Sequence, residues 1–221
     1  MQPVWDLPLQ PAGISIELPG GELVRIRPVR ADDIAGIQAA YQNLSPESRY
    51  FRFFTARARL SDDLATSLTD IDHETHFAWA VFDPERASEV QDASGFAVGS
   101  ARLIQDPDTG NGEPTSAEAA LAIVDEYQGR GIGRFLIDLL LATASDNDIE
   151  ILRFEIMRQN RGMIGLIASM GGEGSPVTAD PTVVEYRLTV PSPDDSALPA
   201  GALYGLLRHL GHDDAAEAEA D

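Results

Sequence analysis

At 221 residues and 43% hydrophobic, the chain is long enough to bury one sizeable core, and its 16 basic against 36 acidic side chains (formal charge −20) argue against a nucleic-acid partner. Cationic partners are favoured, unless the acidity serves solubility alone. There is no cysteine, which excludes disulfides, thiolate metal sites and a covalent cysteine intermediate, and no apolar run approaches the roughly 18 residues of a membrane span, so a cytoplasmic protein without span or signal peptide is expected.

Residues 1–20 are proline-rich without a helical period and are expected to form an N-terminal arm or irregular lead-in. Residues 23–29 set Leu23, Val24 and Ile26 against Arg25 and Arg27, as a strand does, and Pro28 ends the run because it cannot donate to a ladder. Asp32 or Asp33 then caps a helix whose apolar positions Ile34, Ile37, Ala40 and Tyr41 fall three to four apart. Ser61 caps a second helix carrying Leu64, Ala65 and Leu68 on one face. Residues 76–82 and 96–104 read as two strands of an antiparallel ribbon, with polar loops at 83–94 and 105–115. An apolar strand follows at 116–124, then a turn with three alternating glycines at 128–133 and a helix over 134–144. A strand at 149–157, a helix opened by Asn160 and a β-rich run at 183–190 complete one domain over residues 21–190. Residues 191–221 are a turn-rich linker, a short helix through Leu203, Leu206, Leu207 and Leu210, and an acidic tail that is either solvated or an inhibitor of a cationic groove.

The strand–glycine turn–helix unit builds an anion cradle. Glycines let successive backbone N–H groups point inward, and the helix behind them adds its free N-terminal N–H groups and positive dipole end. A nucleoside-triphosphate loop would need a lysine, and the chain has none. A dinucleotide fingerprint needs G-x-G-x-x-G directly after the strand. Here the glycines run G-x-G-x-G after Asp125–Gln128, although Glu155 stands about where a ribose-binding acid would. Gln128, Gly131 and Gly133 match the third pattern, Q/R-x-x-G-x-G/A, in full.

That pattern resembles the acetyl-CoA loop of the GNAT N-acetyltransferases, and the resemblance runs from about Val24 to Val190. Residues 117–124 are similar to the family's central strand, and residues 160–171 to its N-x-x-A-x-x-L-Y-x-x-x-G segment. In that segment Ile167 stands for the tyrosine that often protonates the leaving thiolate, and Gly172-Glu173 replaces the usual aromatic. Residues 44–54 resemble GNAT domains that acetylate protein lysines in bacteria. The implied fold is α/β (α+β), a mixed, mostly antiparallel sheet flanked by helices and splayed at the central strand.

The same resemblance implies roles. Backbone N–H groups of Gly129, Arg130, Gly131, Ile132, Gly133 and Arg134 would hold the pyrophosphate of acetyl-CoA, with Gln128 bracing the turn and Arg130 or Arg134 adding charge. The pantetheine arm would lie along Ile123, Val124 and Asp125, a backbone N–H near Val124 would face the oxyanion, and Asn160 would bond the arm. Glu118, ten residues before Gln128, is expected to be the base. It shares a strand face with Ser116, Ala120, Ala122 and Val124, small enough to leave a groove, and the plainer reading is a solvent-exposed strand-end acid. Arg49 and Arg52, set among Tyr50, Phe51, Phe53 and Phe54, either line the acceptor cleft or lie on a helix surface.

His73 and His76 have H-x-x-H spacing without a third ligand in view, and acetyl transfer to an amine needs no metal, so none is expected. No nucleophile turn supports a hydrolase. The expected reaction is direct transfer from acetyl-CoA to a primary amine in a ternary complex, with a protein lysine as acceptor. Small amines, polyamines and aminoglycosides remain within the class, and a non-catalytic CoA-binding regulatory module is the alternative outside it. A homodimer is left open.

Overall fold

The computed structural model describes residues 13–18, 20–55, 57–86, 94–107 and 115–191. The expected C-terminal helix and acidic tail lie outside them. In chain order the elements are β1 (Ile14–Glu17), β2 (Leu23–Pro28), a 3-10 turn (Ala31–Asp33), α1 (Ile34–Gln42), α2 (Pro46–Phe53), α3 (Asp62–Thr69), β3 (His76–Asp83), β4 (Phe96–Gln105) and β5 (Ser116–Ile123). After them come a second 3-10 turn (Asp125–Tyr127), α4 (Ile132–Ser145), β6 (Ile151–Met157), α5 (Arg161–Ser169), β7 (Glu173–Pro176) and β8 (Val183–Thr189). The strands form one eight-stranded sheet in the order β1-β2-β3-β4-β5-β6-β8-β7, antiparallel throughout except for β5 and β6.

The parallel pair dictates the layering. A parallel connection needs a crossover, and α4 supplies it. Leu136, Ile137, Leu139 and Leu140 of α4 are fully buried against the core face of the sheet, where Ala117 and Ala119 of β5 and Leu152 and Phe154 of β6 meet them. Each such leucine or isoleucine contributes about 1.5–3 kcal/mol on burial. Trp79 of β3 donates its indole N–H to Thr143 Oγ1 at 3.1 Å, so this polar tip beneath α4 is satisfied. The opposite face carries α1 and α3, whose Tyr41, Ala65 and Leu68 close a second cluster with Leu44 and Leu60. Among the described residues no helix is long and apolar enough to cross a membrane.

Three elements differ from expectation. Residues 14–17, placed in the irregular arm, pair with β2 as an edge strand. β7 is fully exposed and carries Gly174 and Pro176, a composition without a strand signal, yet it borders β8. Arg27, read as one of the polar residues alternating with apolar ones along the strand, is 1% exposed, enclosed where the turn before α1 packs over it. Its guanidinium reaches Asp33 in bidentate fashion at 2.8 and 2.7 Å. Asp33 therefore neutralises a buried charge and accepts Arg30 N–H at 2.7 Å, and its side chain makes no cap hydrogen bond to α1.

Candidate functional site: a cleft at the splayed strands

β5 and β6 stay paired only over Ser116–Ile151, Ala117–Leu152 and Glu118–Arg153, after which β6 continues alongside β8 and the two strands part. A cleft of about 710 Å³ opens between them, walled by β5, β6, the glycine turn, α5 and α2. Backbone direction follows from register. Val124 N–H donates to Val98 O at 2.8 Å, so its amide is taken by β4 and does not face the cleft. The oxyanion donor expected near Val124 is therefore not Val124 itself, whose side chain is also buried, at 3% exposure. Because N–H groups alternate in direction along an antiparallel strand, those of Leu121 and Ile123 turn the other way, toward the gap.

The glycine turn is shaped as an anion cradle requires. Gly129 and Gly131 have φ of +77° and +91°, a conformation side-chain-bearing residues avoid, and open space lies where a Cβ would be. Gly131 is the N-cap of the 14-residue α4, so the turn's amides and the helix N-terminus converge on the same end of the cleft. Gly133 serves a different need: a Cβ there would come within 3.1 Å of Leu166 Cδ2 and 3.3 Å of Ile123 Cδ1, so a side chain would crowd α5 and β5. Ile132 is fully buried and offers only its backbone. Gln128 ties the turn to its surroundings, its Nε2 donating to Ile123 O at 3.1 Å and Ser48 Oγ at 3.3 Å.

Of the two arginines expected to add charge, Arg130 is engaged elsewhere. Its guanidinium bonds Glu22 at 2.9 Å and Glu126 O at 2.7 Å and lies over the Tyr127 ring, so its charge is held by the protein's own surface. Arg134 lines the cleft and pairs with Asp138 one turn along α4 at 3.4 Å. Asn160 caps α5 by accepting Met163 N–H at 3.1 Å on Oδ1, which leaves its Nδ2 donors for the cleft it lines.

Asp125 lines the cleft, but its carboxylate looks to α2. It accepts Ser45 N–H at 2.8 Å, Ser45 Oγ–H at 2.7 Å and Ser48 Oγ–H at 2.9 Å. Burial works against the ionised form, yet these hydrogen bonds outweigh it and hold the carboxyl below its usual range. The latch fixes the start of α2, where Ser45 is N-cap and Pro46 opens the helix, and so aims Phe51, Arg52 and Phe54 into the cleft. Nothing local signals it, since the partners lie 80 and 77 residues apart.

Glu118 lies in the cleft wall, exposed to solvent, on the strand face it shares with Ala120 and Ala122. Arg52 stands close enough for the two charges to interact. Arg49 divides from its neighbour: it donates to Tyr41 O and Gln42 O at 3.1 and 2.8 Å and tethers α2 to the end of α1. Ile167 is fully buried beneath α5 rather than in the cleft. Among the described residues no group of three or more His, Asp or Glu side chains, His73 and His76 included, is arranged to hold a metal ion. His76 accepts from Arg102, and burial together with that guanidinium lowers the pKa of its ring. Sequence reasoning missed Arg102, which is 6% exposed on β4 beside Ala120.

A splayed parallel pair, an outward glycine cradle on a helix N-terminus and cleft-facing strand amides fit a long extended ligand ending in a diphosphate. Residues 39–171 match the model of the acetyltransferase (GNAT) family. The chain is 27% identical to acetyltransferase Pat of Mycolicibacterium smegmatis over 181 residues, which covers 82% of this chain and 50% of that protein, so it spans about half the length of that relative. It is 30% identical to acetyltransferase PA5475 of Pseudomonas aeruginosa over 173 residues, covering 78% of this chain and 87% of that one. The crystal structure of the GNAT domain of S. lividans PAT superposes with a TM-score of 0.68 at 24% identity, covering 80% of this chain and 97% of that domain. With cradle, splay and family match in agreement, the chain belongs to the GNAT acetyltransferases, enzymes that draw on acetyl-CoA for N-acetyl transfer.

Proposed function

We propose that the chain transfers acetyl directly from acetyl-CoA to a primary amine, that Glu118 is the general base, and that the acceptor is a lysine of a protein. The observation that carries this reading is the placement of Glu118, solvent-accessible in the cleft wall on the strand whose amides turn toward the gap. Its carboxylate takes the proton of the acceptor ammonium, directly or through one water. The freed nitrogen attacks the thioester carbonyl carbon, and the charge that develops on oxygen meets a backbone N–H of Leu121 or Ile123. The C–S bond breaks, and the thiolate takes a proton from water or from the nitrogen that has become the amide. Ile167 supplies no acid in this step, being buried away from the cleft.

Support for a protein lysine comes from the resemblance at residues 44–54, which form α2 and its N-cap beside Glu118. Thiol release from acetyl-CoA, followed with lysine-containing proteins and a panel of amines, tests the reading. Glu118→Gln is expected to lower kcat by about 10²–10⁴ with CoA affinity unchanged. A Glu118→Gln variant that turns over normally removes the base, and tight CoA binding without turnover on any acceptor replaces the enzyme by a CoA-binding regulatory module.

A further inference from the structure

Six arginines, Arg27, Arg86, Arg130, Arg134, Arg153 and Arg187, each reach a carboxylate of the protein. Arg52 and Arg102 do not, although acids outnumber basic residues 36 to 16 in the chain. Among the described residues neither guanidinium has a carboxylate within 4 Å, and Arg52 makes no hydrogen bond to the protein. Arg52 rests against the Phe53 ring at 5.0 Å, which orients its planar fork without using its donors. Arg102 is held from behind, by Leu68 O at 3.2 Å and His76 Nε2 at 3.3 Å.

Both arginines line one small cavity of about 60 Å³ between the sheet, α1 and α2, and Arg52 with Ala122 also borders the cleft that contains Glu118. Ala120, directly opposite Arg102 on β5, adds no bulk between the two. The electrostatics agree with this geometry. Burial and then the charge of Arg52 bring the Arg102 guanidinium down to about 9, and burial lowers Arg52 as well, against the pull of Glu118. Two cations crowded in a partly dry place, with open donors, lack an anion.

We propose that Arg52 and Arg102 form an anion subsite that receives a carboxylate carried by the acceptor, next to the amine presented to Glu118. The inference rests on the reading of Glu118 as the residue that faces the amine. A carboxylate, planar and with two acceptor oxygens, suits guanidinium forks that meet in so small a cavity. The carboxylate has two possible sources, a free amino-acid-like acceptor or an acidic residue beside the target lysine of a protein.

The test uses the full chain saturated with CoA and measures binding calorimetrically for ε-aminocaproate and γ-aminobutyrate against their carboxamides, and for the end-capped peptides Ala-Glu-Lys-Ala against Ala-Gln-Lys-Ala. The carboxamides carry the greater positive charge, so the chain's overall acidity favours them and works against the expected result. The subsite requires at least one acid to bind about tenfold tighter than its amide, the gap shrinking below about threefold in Arg52→Gln and only partly restored by Arg52→Lys. A gap confined to the small acids identifies a free acceptor, and one confined to the peptides a protein acceptor. Equal binding within every pair, or a gap that Arg52→Gln leaves intact, overturns the proposal. An acid preference without acetyl transfer to any of these acceptors leaves the subsite standing and removes the proposed function instead.

Discussion

Replacing Asp125 with alanine takes away the acceptor of three hydrogen bonds that tie α2 to the turn after β5. The site is open to water, which can satisfy the released Ser45 and Ser48 groups, so each bond is valued at the low end, about 0.5 kcal/mol, for a total of about 1.5 kcal/mol. For a domain of this size that corresponds to a fall in Tm of about 3–6 °C. The carboxyl is lowered from 3.8 on folding, so its contribution is present above that value and is lost as pH falls through the folded value. Thermal melts of wild type and Asp125→Ala should therefore differ by a constant margin between about pH 7 and 5 and converge only below about pH 3.8. A margin that closes already between pH 7 and 5, or no margin at neutral pH, refutes the latch.

Gly131→Ala should strain the cradle by conformation alone, since φ is +91° and no atom lies within 4 Å of the added Cβ. The strain of about 1–2 kcal/mol is expected to weaken CoA binding about tenfold in calorimetry. Gly165→Ala is the control: in exposed α5, with ordinary φ and equal space, it should raise stability by about 0.5–1 kcal/mol and leave CoA affinity unchanged. Asp33→Ala leaves the guanidinium of Arg27 buried without its bidentate partner and should cost about 3–5 kcal/mol in urea unfolding. A loss under about 1 kcal/mol would show that the other acceptors of Arg27, among them Ser94 Oγ at 2.9 Å and Pro28 O at 3.1 Å, suffice.

What could be read from the sequence is what depends on neighbours in the chain. Gln128, Gly131 and Gly133 are local, and their spacing sets the cradle whatever surrounds it. Glu118 is legible for the same reason, as one acid among alanines on an alternating strand. Alternation assigns a face and does not say what covers it, which is why Arg27 reads as a polar position and Arg102 gives no signal, although both are enclosed. Val124 illustrates a second limit: the direction of its N–H depends on register with β4, and one residue of slip would have turned it to the cleft. Asp125 marks a third, because its partners arrive through tertiary folding from the first third of the chain.

Where β5 and β6 diverge, the sheet gains two extra borders in its middle rather than at its rim. Rims solicit extended chains of any origin, and they are ordinarily blunted by charge, proline or brevity. β5 beyond Glu118 is Ala-Ala-Leu-Ala-Ile, with none of those protections. An acyl carrier lying along this border would also keep stray polypeptide out of the gap, and the protein's resistance to aggregation is then expected to rise and fall with the supply of that carrier.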